Sequence, residues 1–409
     1  GLVRADHHKQ SPNVVLIISD DQAWNHYGFM GHKTIQTPHL DKLAREGVLF
    51  RRGYVPTALC RPSLMTLATG RYAHQHGVTG NDPSRLRHDR KSPEYTNLRA
   101  ELISYIDKVD TLPGLLAEQG YLSHQSGKWW EGSFKHGGFT HGMTRGCPEP
   151  GGRHGDDGLK IGREGMQPIA DFVDLAVEQK KPFFLFYAPF LPHTPHNPPA
   201  RLFDKYKDKV DSPHVARYYA MCEWFDETCG QLVKILEDKK VRDNTLIVYV
   251  CDNGWIQHPD KRGYAPRSKQ TPYEAGIRQP IFFNWPAKLK PADRKELVSS
   301  IDLFPTIVKA TGARMPKGLP GLDLWSKLQD GSKIKRKAIF GEGFAHDIAD
   351  IKNPQETLLY RWTIQGRWKL LLTYDGEVAH YKTTHPRDEK RPQLFDLLKD
   401  PHEKKNLVK

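Results

Sequence analysis

The chain has 409 residues, of which 38% are hydrophobic and 27% charged, a balance that suits a globular fold with a substantial core and excludes disorder. A formal charge of +13 implies affinity for polyanions, but the basic residues are dispersed, with clusters at Lys205–Lys209, Lys333–Lys337 and Arg387–Arg391, and no DNA- or RNA-binding pattern accompanies them. No apolar run approaches the ~20 residues of a membrane span and the five cysteines show no zinc spacing, so neither a membrane span, nor structural zinc, nor a nucleic-acid partner is expected.

In chain order, Val14–Ser19 is a continuous apolar run ending in Asp20-Asp21 and reads as a buried strand of a parallel sheet. Pro38 to Gly47 predicts a short helix, with proline at its start and glycine at its end. Next comes Cys60-Arg61-Pro62-Ser63-Leu64, followed by Thr69-Gly70-Arg71. Pro62 sits just inside a helix-like run, so Cys60 falls at a helix N-terminus, where backbone N–H groups and the dipole favour an anion. A thiolate there would be reactive. Leu112–Gly120 predicts a helix leading into a strand at Tyr121–Ser126, and Ile169–Lys180 a helix before the buried strand Phe183–Tyr187. A long helix is expected from about Val215 to Leu236, carrying Cys222 and Cys229 too far apart for a bridge within it.

Thr245–Cys251 then repeats the first pattern, an apolar strand ending in Asp252-Asn253-Gly254. Strands alternating with helices predict a doubly wound α/β sheet, whose ligands bind beyond the carboxyl ends of the strands. Asp20, Asp21, Asp252 and Asn253 are therefore expected together at that edge. Three carboxylates and an amide oxygen make a hard-oxygen site suited to Ca²⁺ or Mg²⁺. Leu319-Pro320-Gly321 and Asp330-Gly331-Ser332 mark a boundary, dividing the chain into residues 1–325 and 326–409. The second part predicts short strands at Lys337–Phe340, Trp362–Gln365, Trp368–Tyr374 and Gln393–Phe395 with few helices, a small α+β domain.

These motifs, in this order, resemble the formylglycine-dependent (type I) sulfatases, a family that includes bacterial carbohydrate sulfatases. Asp20-Asp21 and Asp252-Asn253-Gly254 look like its two metal motifs. Cys60, Pro62, Ser63, Thr69, Gly70 and Arg71 match its activation signature. Gly127-Lys128-Trp129, Pro192-His193-Thr194-Pro195 and Lys269 in Lys-Gln-Thr-Pro-Tyr-Glu-Ala-Gly-Ile-Arg resemble its sulfate-site elements. Ile301–Thr306 and the closing Leu394-Phe395-Asp396…Asp400-Pro401…Glu403…Asn406-Leu407 are structural hallmarks.

The resemblance implies an alkaline-phosphatase-like fold: a large mixed, mostly parallel sheet sandwiched by helices, with the smaller C-terminal domain appended. It implies one Ca²⁺ bound by Asp20, Asp21, Asp252, Asn253 and an oxygen of residue 60. Cys60 would be converted to formylglycine by a formylglycine-generating enzyme, and its hydrate would attack the sulfur of a sulfated carbohydrate. Lys128 and Lys269 would bind sulfate oxygens and His193 would protonate the leaving oxygen. Such a substrate implies a secreted or periplasmic protein, whose signal is not visible in a chain beginning at Gly1.

Two positions depart from the pattern. Leu64 stands where the family carries arginine, leaving Arg61 or Arg71 to supply charge. Trp130 stands where it carries histidine, so His74, His76, His136 or His141 would substitute, or Trp130 would pack against a sugar ring, the alternative for it being a plain packing role. Trp130 and Arg71 thus join Lys128, His193 and Lys269 as expected substrate-binding residues. The loops Pro192–Pro199 and Lys128–His141 are expected to shape the pocket, and Glu342, His346 and Asp347 in the smaller domain to lie at its margin or on the surface. The alternative readings are a phosphomonoesterase or phosphodiesterase of the same superfamily, which Cys60 argues against, and an inactive polyanion-binding relative.

Overall fold

The continuous apolar runs become central strands of one eight-stranded sheet, because a strand covered on both faces has no polar side to alternate with. The computed structural model describes residues 11–146, 152–378, 381–383 and 385–408. Its strands are β1 (Asn13–Ser19), β2 (Val48–Tyr54), β3 (Asp82–Pro83), β4 (Leu122–Gly127), β5 (His141–Gly142), β6 (Phe183–Ala188), β7 (Thr245–Cys251), β8 (Ile281–Asn284), β9 (Ala292–Ser299), β10 (Ile339–Phe344), β11 (Asp347–Ile348), β12 (Leu358–Gln365), β13 (Trp368–Thr373) and β14 (Gln393–Asp396). The helices are α1 (Pro38–Arg45), α2 (Cys60–Thr69), α3 (Ala73–His76), α4 (Pro93–Ile103), α5 (Leu112–Ala117), α6 (Gln167–Glu178), α7 (Ala200–Tyr206), α8 (Pro213–Asp238), α9 (Glu274–Ile277), α10 (Leu303–Thr311) and α11 (Trp325–Asp330).

The sheet runs β5-β4-β6-β1-β7-β8-β2-β9. Only β8 is antiparallel to its neighbours. Alternate residues of β1 serve opposite faces: Val14, Leu16 and Ile18 join a core with α2, α5 and α10, while Val15 and Ile17 join one with α1, α6 and α8. This is the sandwiched, mostly parallel sheet that the sequence implies. The expected elements of the large sheet appear with ends shifted by a few residues. In α8, Ser212 Oγ caps by accepting from Val215 N (3.2 Å), with Pro213 at the first helical position.

Six strands were not foreseen, among them the two-residue β3, β5 and β11. β2 carries arginines amid its apolar residues, β8 is short, and β9 is a polar edge strand whose first two residues are exposed. The smaller sheet, β10-β12-β13-β14, is antiparallel, and its Ile339, Trp362, Ile364, Leu371 and Phe395 join the same core as α2 and α10. β10 runs past the expected Phe340 because Gly341 and Gly343 are not breakers here. A Cβ on Gly343 would run into the Tyr360 ring, and one on Gly341 into Trp362. Cys222, Cys229 and Cys251 are buried free thiols, and Cys147 lies outside the described residues.

We expect Gly343→Ala to cost about 1–3 kcal/mol by overpacking this sheet. Thermal melting checks it: an unchanged midpoint would mean that Tyr360 yields freely.

Candidate active site

Parallel pairing in register, Ile18 with Val250 and Ser19 with Cys251, ends β1 and β7 side by side. The acidic residues that follow each strand therefore meet at one edge. Asp21 N donates to Asp252 Oδ1 (3.2 Å), and Asn253 Nδ2 donates to Asp21 Oδ1 (2.6 Å). Asp21 takes a left-handed backbone (φ 65°), a conformation aspartate tolerates and that over-determined functional sites retain. Asp20 N donates to Leu191 O (3.0 Å), drawing the loop after β6 to the same edge.

Four further side chains arrive from other elements. Cys60, the first residue of α2, holds Sγ 4.0 Å from Asp20 Oδ1 and 3.1 Å from Lys269 Nζ. Lys128 follows β4, where Gly127 (φ 97°) must be glycine because a Cβ would strike the Ala188 carbonyl. Lys128 Nζ donates to Asp20 Oδ2 (2.7 Å), and Lys269 Nζ to Asp21 Oδ1 (2.5 Å). His193 places Nε2 3.4 Å from Asp21 Oδ2, while its Nδ1–H donates to Thr194 O (2.6 Å) and so fixes the tautomer. The structure thus brings together Asp20, Asp21, Cys60, Lys128, His193, Asp252, Asn253 and Lys269.

Burial dominates the electrostatics. It pushes the Asp20 carboxyl up, against the pull of Lys128, and holds Asp252 well above the usual carboxylate range. Both lysines stay charged: burial, the largest influence, would lower them, but the surrounding negative groups, Asp20 foremost for Lys128 and Asp21 for Lys269, together outweigh it. His193 is held well below the ordinary imidazole range by burial and by the two lysines. The expected reactive thiolate is not found. Burial pushes Cys60 up to about 12 despite both lysines and the helix N-terminus, so it is a neutral thiol at physiological pH.

The donor set fits a hard cation. Among the described residues, Asp21 Oδ2, Asp252 Oδ2 and Asn253 Oδ1 are buried oxygens with no hydrogen-bond partner. Asp20, Asp21, Cys60 and His193 also offer ligand atoms within 4.8 Å of one another.

The other two expected substrate-binding residues lie outside this cluster. Arg71 follows the left-handed Gly70 that ends α2, about 16 Å from Cys60 along the helix at about 1.5 Å per residue. Trp130 is only 3% exposed and offers no open face to a sugar, because Arg153 lies over its ring (4.6 Å) and the edge of His154 meets it (5.1 Å). Arg61 does not replace the arginine missing at Leu64. It is fully buried in a two-pronged pair with Glu131 (2.7 and 2.5 Å), and Leu64 fills apolar core. That pair ties the first turn of α2 to the segment carrying Lys128.

Of the proposed stand-in histidines, His74 pairs with Glu342 and His136 with Asp107, His141 bonds Thr140, and His76 packs against Thr66. The histidines beside the site are others. His154 lies 5.2 Å from Phe190, whose ring stacks on His193 at 4.3 Å. His196 feels the charge of Asp21, yet burial holds it down to about 4. Arg163, also not foreseen, donates to Phe190 O (2.7 Å), His193 O (2.9 Å) and Asn197 Oδ1 (2.7 Å), clamping the His193 loop.

The Lys269 loop is fastened by the C-terminal segment. Glu403 Oε2 accepts from Glu274 N (2.6 Å), Glu403 O from Arg267 Nη2 (2.6 Å), and fully buried Lys369 pairs with Glu403 (2.6 Å) and Glu274 (3.5 Å). Arg267, Gln270 and Glu403 all have left-handed backbones (φ 62°, 62° and 54°), strain that these bonds over-determine. This gives the closing sequence motif a structural reason.

Residues 12–313 match the family described as Sulfatase, and residues 267–409 match "N-sulphoglucosamine sulphohydrolase, C-terminal". The chain is similar to N-acetylgalactosamine-6-sulfatase of Canis lupus familiaris, at 29% identity over 97% of this chain and 81% of that one. It is also similar to N-acetylgalactosamine-6-O-sulfatase of Bacteroides thetaiotaomicron, at 23% identity over 98% and 90%. Among solved structures, Ps i-CgsB in complex with k-i-k-neocarrahexaose superposes with a TM-score of 0.76 at 25% identity, covering 97% of this chain and 89% of that one. With residue 60, both lysines and the acidic edge assembled inside the matched span, the chain belongs to the sulfatase family and is a sulfuric ester hydrolase.

Proposed function

We propose that this enzyme removes sulfate from carbohydrate esters, with residue 60 as nucleophile, Lys128 and Lys269 as sulfate ligands and His193 as proton donor. The observation that carries this reading is Cys60 Sγ, 3.1 Å from Lys269 Nζ and 4.0 Å from Asp20 Oδ1, at a buried edge that also holds Lys128. Relatives named N-acetylgalactosamine-6-sulfatase, and a structural neighbour in complex with k-i-k-neocarrahexaose, support a sulfated sugar as substrate.

A thiol held near 12 is a poor nucleophile, which favours another group at position 60. Formylglycine, installed there by a formylglycine-generating enzyme, supplies as its hydrate two hydroxyls on one carbon, one to attack sulfur and one to release sulfate afterwards. Asp20, Asp21, Asp252, Asn253 and an oxygen of residue 60 would hold a Ca²⁺ ion, which neutralises charge on the sulfate when bound.

The remaining chemistry falls to side chains. Lys128 and Lys269 are compact point charges already aimed at residue 60, and losing either should cost about 3 kcal/mol of barrier. His193 donates Nδ1–H to Thr194, which leaves Nε2 to carry the proton. Burial first, and then the two lysine charges, hold this imidazole down; an anionic ester would offset the lysine part and so favour the protonated form that donates to the leaving oxygen. Among the described residues no helix is long and apolar enough to cross a membrane. A sulfated polysaccharide substrate favours a secreted or periplasmic setting.

Protein from its native host should carry a formylglycine mass at residue 60 and release sulfate from monosulfated hexosamines. Cys60→Ala should lose at least about 10³-fold of that activity while remaining folded. Full sulfate release by Cys60→Ala, or faster hydrolysis of phosphate esters, would sink the assignment.

Glu403 is expected to act through Lys269. Glu403→Gln should lower kcat/KM about tenfold in the unaltered enzyme and very little in a Lys269→Ala background. Equal losses in both backgrounds would contradict that coupling.

A further inference from the structure

Beside the sulfate-site lysines lies a second set of buried polar residues that the reaction does not use. It starts next to residue 60: Arg61 N donates to Asn81 Oδ1 (3.0 Å), and Asn81 Nδ2 donates to His346 Nε2 (3.0 Å). His346 Nδ1 in turn donates to Asp347 Oδ1 (2.6 Å). Pairing of β3 with β11 sets Asp347 beside Asp82. Arg153 Nε donates to Asp82 Oδ2 (2.5 Å), with Arg85 3.8 Å from the same oxygen. The Arg153 guanidinium lies over Trp130 at 4.6 Å, and Lys128 Nζ lies 5.9 Å from that same ring. The set therefore forms one continuous wall from residue 60 round to Lys128.

Its hydrogen bonding is incomplete in a specific way. Among the described residues, Asp82 Oδ1, Asp347 Oδ2 and Arg153 Nη2 are buried and have no hydrogen-bond partner. The two aspartates are almost fully buried, whereas the Arg153 side chain is 19% exposed and Tyr381, whose ring lies tilted against His346 at 4.0 Å, forms a more open outer edge. Two acceptors and one donor, fixed by ion pairs and backbone pairing, await a group that both gives and accepts hydrogen bonds.

We propose that Asp82, Asp347 and Arg153 bind unsulfated hydroxyls of the sugar ring whose sulfate lies at residue 60, with Trp130 and His346 as positioning residues. This rests on the sulfatase reading above. A ring hydroxyl can accept from Arg153 and donate to a carboxylate at once. A second sulfate or a uronate offers acceptors only, would leave both aspartates unpaired and would face their charge. Trp130 thereby gains a reason to be tryptophan: its ring seats Arg153 at a fixed distance from Lys128.

The test compares kcat/KM on monosulfated hexosamines, on the same sugars lacking one hydroxyl, and on 4-nitrophenyl sulfate, which has no sugar hydroxyl. Arg153→Gln, and the isosteric Asp347→Asn as a second variant, should lose about 10²-fold on the sugar and at most a few-fold on the aryl ester. The deoxy sugar should be as poor for the unaltered enzyme as the full sugar is for the variants. Equal losses on sugar and aryl ester, or no loss on the sugar, overturn the proposal. Absence of turnover of any sulfate ester would instead remove the catalytic reading. Calorimetric binding of the sulfated hexosamines then decides: weaker binding by the variants supports the subsite, and equal binding overturns it.

Discussion

Three carboxylates are held out of water where two adjacent parallel strands end, and much of the rest of the molecule serves to make that tolerable. Asp20 and Asp21 after β1, and Asp252 after β7, are each at most 3% exposed. Unpaired, such charges would be neutralised by protonation or would unfold the edge. Lys128 and Lys269 answer two of them directly, at 2.7 and 2.5 Å. Fully ionised, these five residues would carry one net negative charge, a state that burial opposes at Asp20 and Asp252. A divalent cation would favour the ionised forms and turn the balance to one positive charge, the sign that suits a sulfate ester.

Holding the lysines in place explains buried ion pairs that otherwise look extravagant. Arg61 with Glu131 joins α2 to the Lys128 segment, and Lys369 with Glu403 and Glu274 joins the C-terminal sheet to the Lys269 loop. Arg163 does the same for His193 through three acceptors. Each fixes one side chain of the site from behind. The smaller sheet thus braces the Lys269 loop as well as belonging to the core.

How much of this the sequence discloses depends on whether the deciding interaction is local. β1 and β7 are legible because strands covered on both faces read as unbroken apolar runs, and the acidic pairs at their ends follow directly. Cys60 is legible as a helix start because Pro62 stands just inside. Lys128, His193 and Lys269 are ordinary residues in isolation, and only their resemblance to a family pattern marks them. His196 was expected only as part of the pocket-shaping loop Pro192–Pro199, and Arg163, His154 and the Lys369–Glu403 pair were not foreseen, since their partners are remote in sequence. The sequence leaves Trp130 open between a sugar platform and a packing role for the same reason: what covers its ring is Arg153, which nothing near position 130 announces. The reactivity expected of Cys60 also failed, because a helix N-terminus is a local signal and burial beside aspartates is not.

The most direct test of this account is the metal content of the purified enzyme, read together with its response to a chelator. One Ca²⁺ per chain is predicted, and its removal should lower both the melting temperature and sulfate release, with added Ca²⁺ restoring both. An enzyme that binds no divalent cation, and whose stability and activity ignore chelation, would contradict the charge balance on which the whole site is argued.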